Sequence, residues 1–172
     1  MEYMDDLNKA LRELDVKTIE RIINIIRKRR LFIIGNGGSA ANAIHMANDL
    51  QKIGGQNATA LTNISLITAW ANDTEYENVY VEQLKKVAYY GDVLIILSSS
   101  GDSENLVNAY KYAINNKMFV VNIVGQEGCK LDITKPMVET LCLNANTYIA
   151  EDLQLIVGHI MALKLQAMQN PF

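Results

Sequence analysis

The sequence predicts an α/β protein of three layers, a doubly wound five-stranded parallel sheet with a helical segment in front of it. Three observations carry this. Five short runs rich in β-branched residues alternate with longer runs of helical periodicity, as a parallel sheet covered on both faces requires. Two of the strand-to-helix junctions are rich in Gly or Ser. Prolines occur only at Pro136 and Pro171, and no repeat or low-complexity linker divides the chain. With 172 residues, 49% of them hydrophobic, the chain can bury one sizeable core and is too short for two ordinary domains, so residues 1–172 are read as a single domain.

Each element has its own signal. From residue 1 to about 30, Leu7, Leu11, Leu14, Ile19, Ile22, Ile23 and Ile26 recur at helical spacing, and Asp15 is placed to cap a second helix. This stretch is a helical lead-in. A strand over 31–34 precedes a helix over 39–53, and a strand over 58–61 precedes helical stretches to about 88. A strand over 93–97 leads to a helix ending near 115, and 119–124 to a short turn of helix. A strand over 138–143 precedes a last helix over 147–168. Ligands of such sheets bind beyond the carboxyl ends of the strands.

Composition narrows the partners. The formal net charge is −3, and the only basic run, Arg27-Lys28-Arg29-Arg30, reads as a solvated helix terminus whose cations complement the helix dipole, so no nucleic-acid partner is expected. No apolar run approaches the roughly 20 residues that span a bilayer, so no membrane partner is expected either. Cys129 and Cys142 form no metal-type pair, and no signal-peptide pattern opens the chain, which sets the expectation of a reducing, cytoplasmic setting. Trp70, Tyr89, Tyr90, Tyr110 and Tyr112 fall on helical patterns and read as core or subunit contacts.

Two junctions read as phosphate cradles. In the first, an apolar strand ends at Gly35 and passes through Asn36, Gly37 and Gly38 to Ser39 at a helix start. Glycines allow close backbone approach, and free amides at a helix start point at an anion. Gly35, Gly37 and Ala40 also match a dinucleotide fingerprint, but the following strand ends in Thr62-Asn63, without the acid that holds a ribose, so no nucleotide cofactor is expected. The second junction sets Ser98, Ser99, Ser100 and Ser103 around Gly101 at another helix start. Hydroxyls and amides can surround phosphate oxygens without lysine, and the absent Walker lysine favours a phosphate monoester over a triphosphate.

Taken in order, Gly35-Asn36-Gly37-Gly38-Ser39, His45, Ala71-Asn72-Asp73, Gly91-Asp92-Val93-Leu94, the serine loop and a final helix with His159 resemble the sugar isomerase (SIS) domain family, and more narrowly its phosphoheptose isomerases. The resemblance covers nearly the whole chain. It implies a flavodoxin-like strand order, a homotetramer with active sites at subunit contacts, and exchange of sedoheptulose 7-phosphate with D-glycero-D-manno-heptose 7-phosphate. By the same resemblance Ser39, Ser98, Ser99, Ser100 and Ser103 would take the phosphate, while Asn36 and Asp73 would contact the sugar; Gly37 and Gly38 of the first loop are candidate substrate-binding residues beside them.

Such an isomerisation moves a proton between adjacent carbons through an enediol, which needs a base, an acid or metal at the oxygens, and shelter from water. The two histidines of the chain, His45 and His159, both fall on positions that the resemblance makes functional. Asp49 follows His45 by four residues on the same helix face, so the two can converge on a metal or substrate. Three positions depart from the family. Asp49 stands where the isomerases carry a glutamate base, Glu151 where they carry a glutamine of the metal site, and Tyr148 where they carry a functional aspartate. His159, Asp49 and Glu151 are the candidate catalytic residues, with Glu151 a longer carboxylate offsetting the shorter Asp49. His45, Asp49, Glu151 and His159 are the candidate ligands of one zinc ion per subunit. Glu151 and His159 lie eight residues apart, roughly 12 Å along a straight helix. Sharing an ion would require a neighbouring subunit or a helix beginning after Glu151. Asp152 and Gln154 are further polar residues near this helix start, read as solvated. The alternative is a non-catalytic SIS sugar-phosphate sensor or adaptor resembling the replication initiator-associating protein, which shares a Ser-Ala-Ala-Asn-Ala stretch like 39–43 but lacks the final histidine.

Overall fold

The structure, a computed structural model, describes residues 2–131 and 135–169. The lead-in forms two helices, α1 (Glu2–Arg12) and α2 (Val16–Ile26). Strand β1 (Arg30–Gly35) runs into α3 (Gly37–Lys52), and β2 (Asn57–Ala60) into α4 (Ile64–Asp73), a short 3₁₀ turn (Tyr76–Asn78) and α5 (Val79–Val87). Then come β3 (Val93–Ser98), α6 (Glu104–Asn115), β4 (Phe119–Val124), β5 (Val138–Cys142) and α7 (Thr147–Gln169). The five strands form one parallel sheet in the order β2-β1-β3-β4-β5, the flavodoxin-like order expected.

Both faces of the sheet are covered, which is why its strands read as continuous apolar runs. Ile33, Ile95, Leu97, Val121 and Ile123 pack beneath α2, α3 and α7. Their neighbours along the strands, Phe32, Ile34, Leu94, Ile96 and Val120, face α5 and α6 on the other side. The outer ends of the layers are less complete. No residue of α4 is buried, although its sequence is apolar, and Ile64 and Leu66 on it are 70% and 45% exposed.

Three local expectations are corrected. Residues 125–131 form turns rather than a turn of helix, with 132–134 outside the described residues. Helix α2 stops at Ile26, Lys28 takes a left-handed φ of 62°, and Arg30 already belongs to β1, so the basic run is only partly a helix terminus. Its cause is a partner: Arg30 donates to the carboxylate of Asp92 at the foot of β3, and its guanidinium also lies over the Tyr89 ring. Among the aromatics, Tyr110 is in the core, whereas Tyr89 and Tyr90 follow the end of α5 instead of lying on a helix, and are exposed.

Asp15 caps α2 as expected, accepting from the Thr18 backbone N–H at 3.1 Å and from its hydroxyl at 2.6 Å. The Thr18 hydroxyl, aided by that N–H, holds the Asp15 carboxyl below its ordinary pKa. A carboxyl lowered in the folded state stabilises above its unfolded pKa and loses that contribution as pH falls through the folded value. The stability advantage of the wild type over Asp15→Asn in urea melts is therefore expected to shrink as the solution is acidified below the ordinary aspartate range. An advantage constant with pH would contradict it.

Candidate active site

The strand order reverses between β2 and β3, on either side of β1, and Gly35 stands directly opposite Leu97. The loops after β1 and β3 therefore leave the sheet side by side. They border a cavity of about 220 Å³ lined by Asn36, Ser39, Leu97, Ser98, Ser99, Ser100, Ser103, Thr147 and Glu151. Three helices begin there: α3 after Asn36, α6 after Ser103, and α7 at Thr147. Each start carries unpaired N–H groups and the positive end of a helix dipole. Neither Asn36 nor Ser103 turns its side chain back to cap its own helix, so the leading amides of α3 and α6 have no side-chain cap, while the Leu106 N–H of α6 is taken by Asn105 Oδ1 and the Ser103 carbonyl. Among the described residues, no lysine or arginine lines the cavity. Amides and hydroxyls supply the field for an anion, against the Glu151 carboxylate in the same lining.

The backbone is held where this geometry needs it. Gly37, at φ +55°, makes the turn into α3 that a side chain would strain. The Tyr80 hydroxyl donates to the Gly35 carbonyl at 2.5 Å, and burial pushes its pKa up to about 12, so it stays a donor. Asn36 and Asn105 exchange two side-chain hydrogen bonds of 2.9 Å each, joining the first loop to α6. Lys130 braces the second loop, its backbone N–H donating to Asp102 at 2.8 Å and its ammonium pairing with Glu104.

The histidines meet on a second part of the site. Helices α3 and α7 lie side by side and parallel: the carboxylate of Glu151 sits over Gly38, Asn42 donates to the Glu151 carbonyl at 2.8 Å, and Met46 touches Gly158. This register sets His45 against His159, with the two Nε2 atoms 3.1 Å apart. Asp49 Oδ2 lies 3.1 Å from His45 Nε2 and 3.3 Å from His159 Nε2. One ligand atom from each of the three residues falls within 4.8 Å of the others, and Asp49 is buried while both rings are about half exposed. Two imidazole nitrogens and a carboxylate oxygen converging in this way make a donor set that suits zinc, with room for a further ligand.

The remaining candidates separate. Helix α7 is continuous from Thr147, so Glu151 lies about two turns before His159 and outside the three-residue cluster. It faces the cavity instead. Asp73 ends α4, accepts from Asn72 at 3.0 Å and does not line the cavity. Asp152 accepts from the Tyr3 hydroxyl at 2.5 Å, docking α1 on α7, and Tyr148 is exposed. Gln154 is fully buried rather than solvated, accepting from Asn42 at 3.3 Å. Asn105, Tyr80 and Thr147 escaped the sequence reading. Only Asn105 had a signal, a polar residue in the first turn after the serine loop.

Two glycines distinguish rigid from yielding parts of the first loop. A Cβ on Gly35 would meet backbone atoms of Ser39 at 2.8 Å and of Leu97 at 3.0 Å. Gly35→Ala is expected to cost about 1–3 kcal/mol in urea melts, as overpacking does. The atoms nearest a Cβ on Gly38 would be those of the Glu151 carboxylate, and that side chain can swing away. Gly38→Ala should melt near the wild type, and adding Glu151→Ala should cause no further change in phosphate affinity. A Gly38→Ala protein as unstable as Gly35→Ala would contradict this.

Comparison with known proteins agrees with the geometry. The family model of the SIS domain matches residues 2–125. A phosphoheptose isomerase of Helicobacter pylori is 31% identical over 166 residues, covering 92% of this chain and 83% of the relative. The solved phosphoheptose isomerase of Neisseria gonorrhoeae is similar with a TM-score of 0.89 at 26% identity, over 96% of both chains. That of Francisella tularensis, at 20% identity, shares the fold with a TM-score of 0.89 over 97% of this chain and 95% of its own. With the family model spanning most of the chain and a relative matching nearly all of it, this chain belongs to the SIS-domain family, among its phosphoheptose isomerases.

Proposed function

We propose that this chain is a ketose–aldose isomerase that interconverts sedoheptulose 7-phosphate and D-glycero-D-manno-heptose 7-phosphate, or a close relative, through an enediol. The observation that carries this is the shared pair of helices: α3 and α7 begin at the anion cradle and hold the His45–Asp49–His159 cluster further along. From Ser39 to His45 is about 9 Å along α3 at 1.5 Å per residue. A sugar anchored by its phosphate on Ser39, Ser98, Ser99, Ser100 and Ser103 and on the amides of Gly37 and Gly38 would extend along the groove. Its far carbons then reach the cluster.

At that end Asp49 Oδ2 and His159 Nε2 stand 3.3 Å apart, close enough to pass a proton between a carbon, an oxygen and each other. A divalent ion such as zinc held by His45, Asp49 and His159 would occupy those same atoms, supplying Lewis acidity at the sugar oxygens and leaving the proton transfer to Glu151. Glu151 lines the cavity beside the serines and is the second carboxylate within reach of the bound chain. Asp73 would approach the sugar from the end of α4.

The cluster is exposed at its two rings, and Ile44 and Leu163 beside it on α3 and α7 are 55% and 56% exposed. An enediol needs shelter from water. A homotetramer, with neighbouring subunits covering this groove and α4, supplies it. Cys129 and Cys142 stand as thiols, which accords with a cytoplasmic setting.

Purified protein given sedoheptulose 7-phosphate should yield the aldose phosphate, and His159→Asn should lower kcat by about 10² or more, the scale of a lost acid–base group. Chelation should lower both turnover and the melting temperature if zinc is resident. Unchanged turnover in Glu151→Gln would remove Glu151 from the proton transfer. Failure to isomerise any heptose phosphate, with ligand still raising the melting temperature, would replace the enzyme by a sugar-phosphate sensor.

A further inference from the structure

We propose that Asn105, which reaches no ligand itself, is a positioning residue that decides which atom Asn36 presents to the bound sugar phosphate. The proposal rests on the isomerase reading only for the contact between Asn36 and substrate. The two side-chain amides lie 69 residues apart in sequence and form a reciprocal pair, each donating N–H to the other's oxygen at 2.9 Å. A pair of this kind keeps both bonds if the two amides are turned over together, so a third group must set its direction. The backbone N–H of Leu106 is that group. It can only donate, and it lies 3.0 Å from Asn105 Oδ1.

The rest follows by elimination. With Asn105 Oδ1 fixed on the Leu106 amide, Asn105 Nδ2 must face Asn36 Oδ1. The Tyr76 hydroxyl, 3.3 Å away, supplies a second donor to that same oxygen. Both lone pairs of Asn36 Oδ1 are then engaged, and one of its two N–H bonds is spent in the pair. What remains for the cavity is a single N–H donor. Asn105 is 2% exposed, so water cannot readily replace it in this role. Asn36 therefore recognises an accepting oxygen, on the phosphate or on the sugar.

Asn105→Asp is the sharpest test. A carboxylate still accepts from Leu106 but offers Asn36 only acceptors, so the Asn36 amide turns both N–H groups inward and its oxygen outward. Asn36→Ala and Asn105→Asp are each expected to lower kcat/KM about tenfold, the loss of roughly one hydrogen bond, and the double variant should be no worse than Asn36→Ala alone. Multiplying losses would show that Asn105 acts independently of Asn36 and would overturn the proposal, as would an unchanged Asn105→Asp enzyme. If the buried carboxylate prevents folding, Asn105→Ser enters the same cycle. Dissociation constants from calorimetry carry the cycle when no turnover is seen, so failure of the isomerase reading is told apart from failure of this one. Inorganic phosphate as a second probe shows the tenfold loss if the donor meets phosphate, and none if it meets the sugar.

Discussion

The site depends on β1 and β3 being neighbours in the sheet while β2 lies on the far side of β1. Reversal of strand order at this point opens a crevice that no connecting loop has to cross. Gly35 and Leu97 stand opposite each other, so two loops separated by some sixty residues emerge together. A single helix terminus favours an anion by only about 0.3–1 kcal/mol when exposed. Convergence of α3, α6 and α7 on one cavity is what turns weak individual fields into a cradle.

The parallel contact of α3 with α7 carries this arrangement away from the sheet. It is close because Gly38 and Gly158 stand at the seam, where the Glu151 carboxylate and the Met46 side chain fill the space a Cβ would need. Two parallel helices also have parallel dipoles, with both positive ends at the cradle. The seam leads from open amides to a buried carboxylate flanked by two imidazoles. One packing contact thus sets the position of both halves of the site.

Sequence patterns revealed the elements whose cause is local. The five strands, the cap at Asp15, the serine loop and the i,i+4 pair of His45 and Asp49 all follow from spacing along one segment. The meeting of His45 with His159 came from resemblance and is explained by the helix register. What escaped depends on partners distant in sequence. The Asn36–Asn105 pair, the Tyr80 anchor and the burial of Gln154 arise only when layers pack, and Arg30 leaves the helical run because Asp92 waits at the foot of β3. Glu151 illustrates the converse. Its separation from His159 was legible as a distance, but only the unbroken α7 shows that within one chain it belongs to the cradle.

The absence of any lysine or arginine from the cavity lining, among the described residues, bears on what the cradle would contribute to the proposed catalysis. On the isomerase reading proposed above, ketose and aldose carry the same terminal phosphate, and fixed amides and hydroxyls would meet it in the same way before, during and after proton transfer. Binding of that kind is uniform: it lowers KM for both directions and leaves the barrier between them untouched. A cradle without cationic side chains, and with the Glu151 carboxylate in its lining, would also let go of a dianion more readily than a cationic one. On that reading the phosphate end would serve as a tether of moderate strength, and discrimination between transition state and ground state would have to be generated at the opposite end of the sugar.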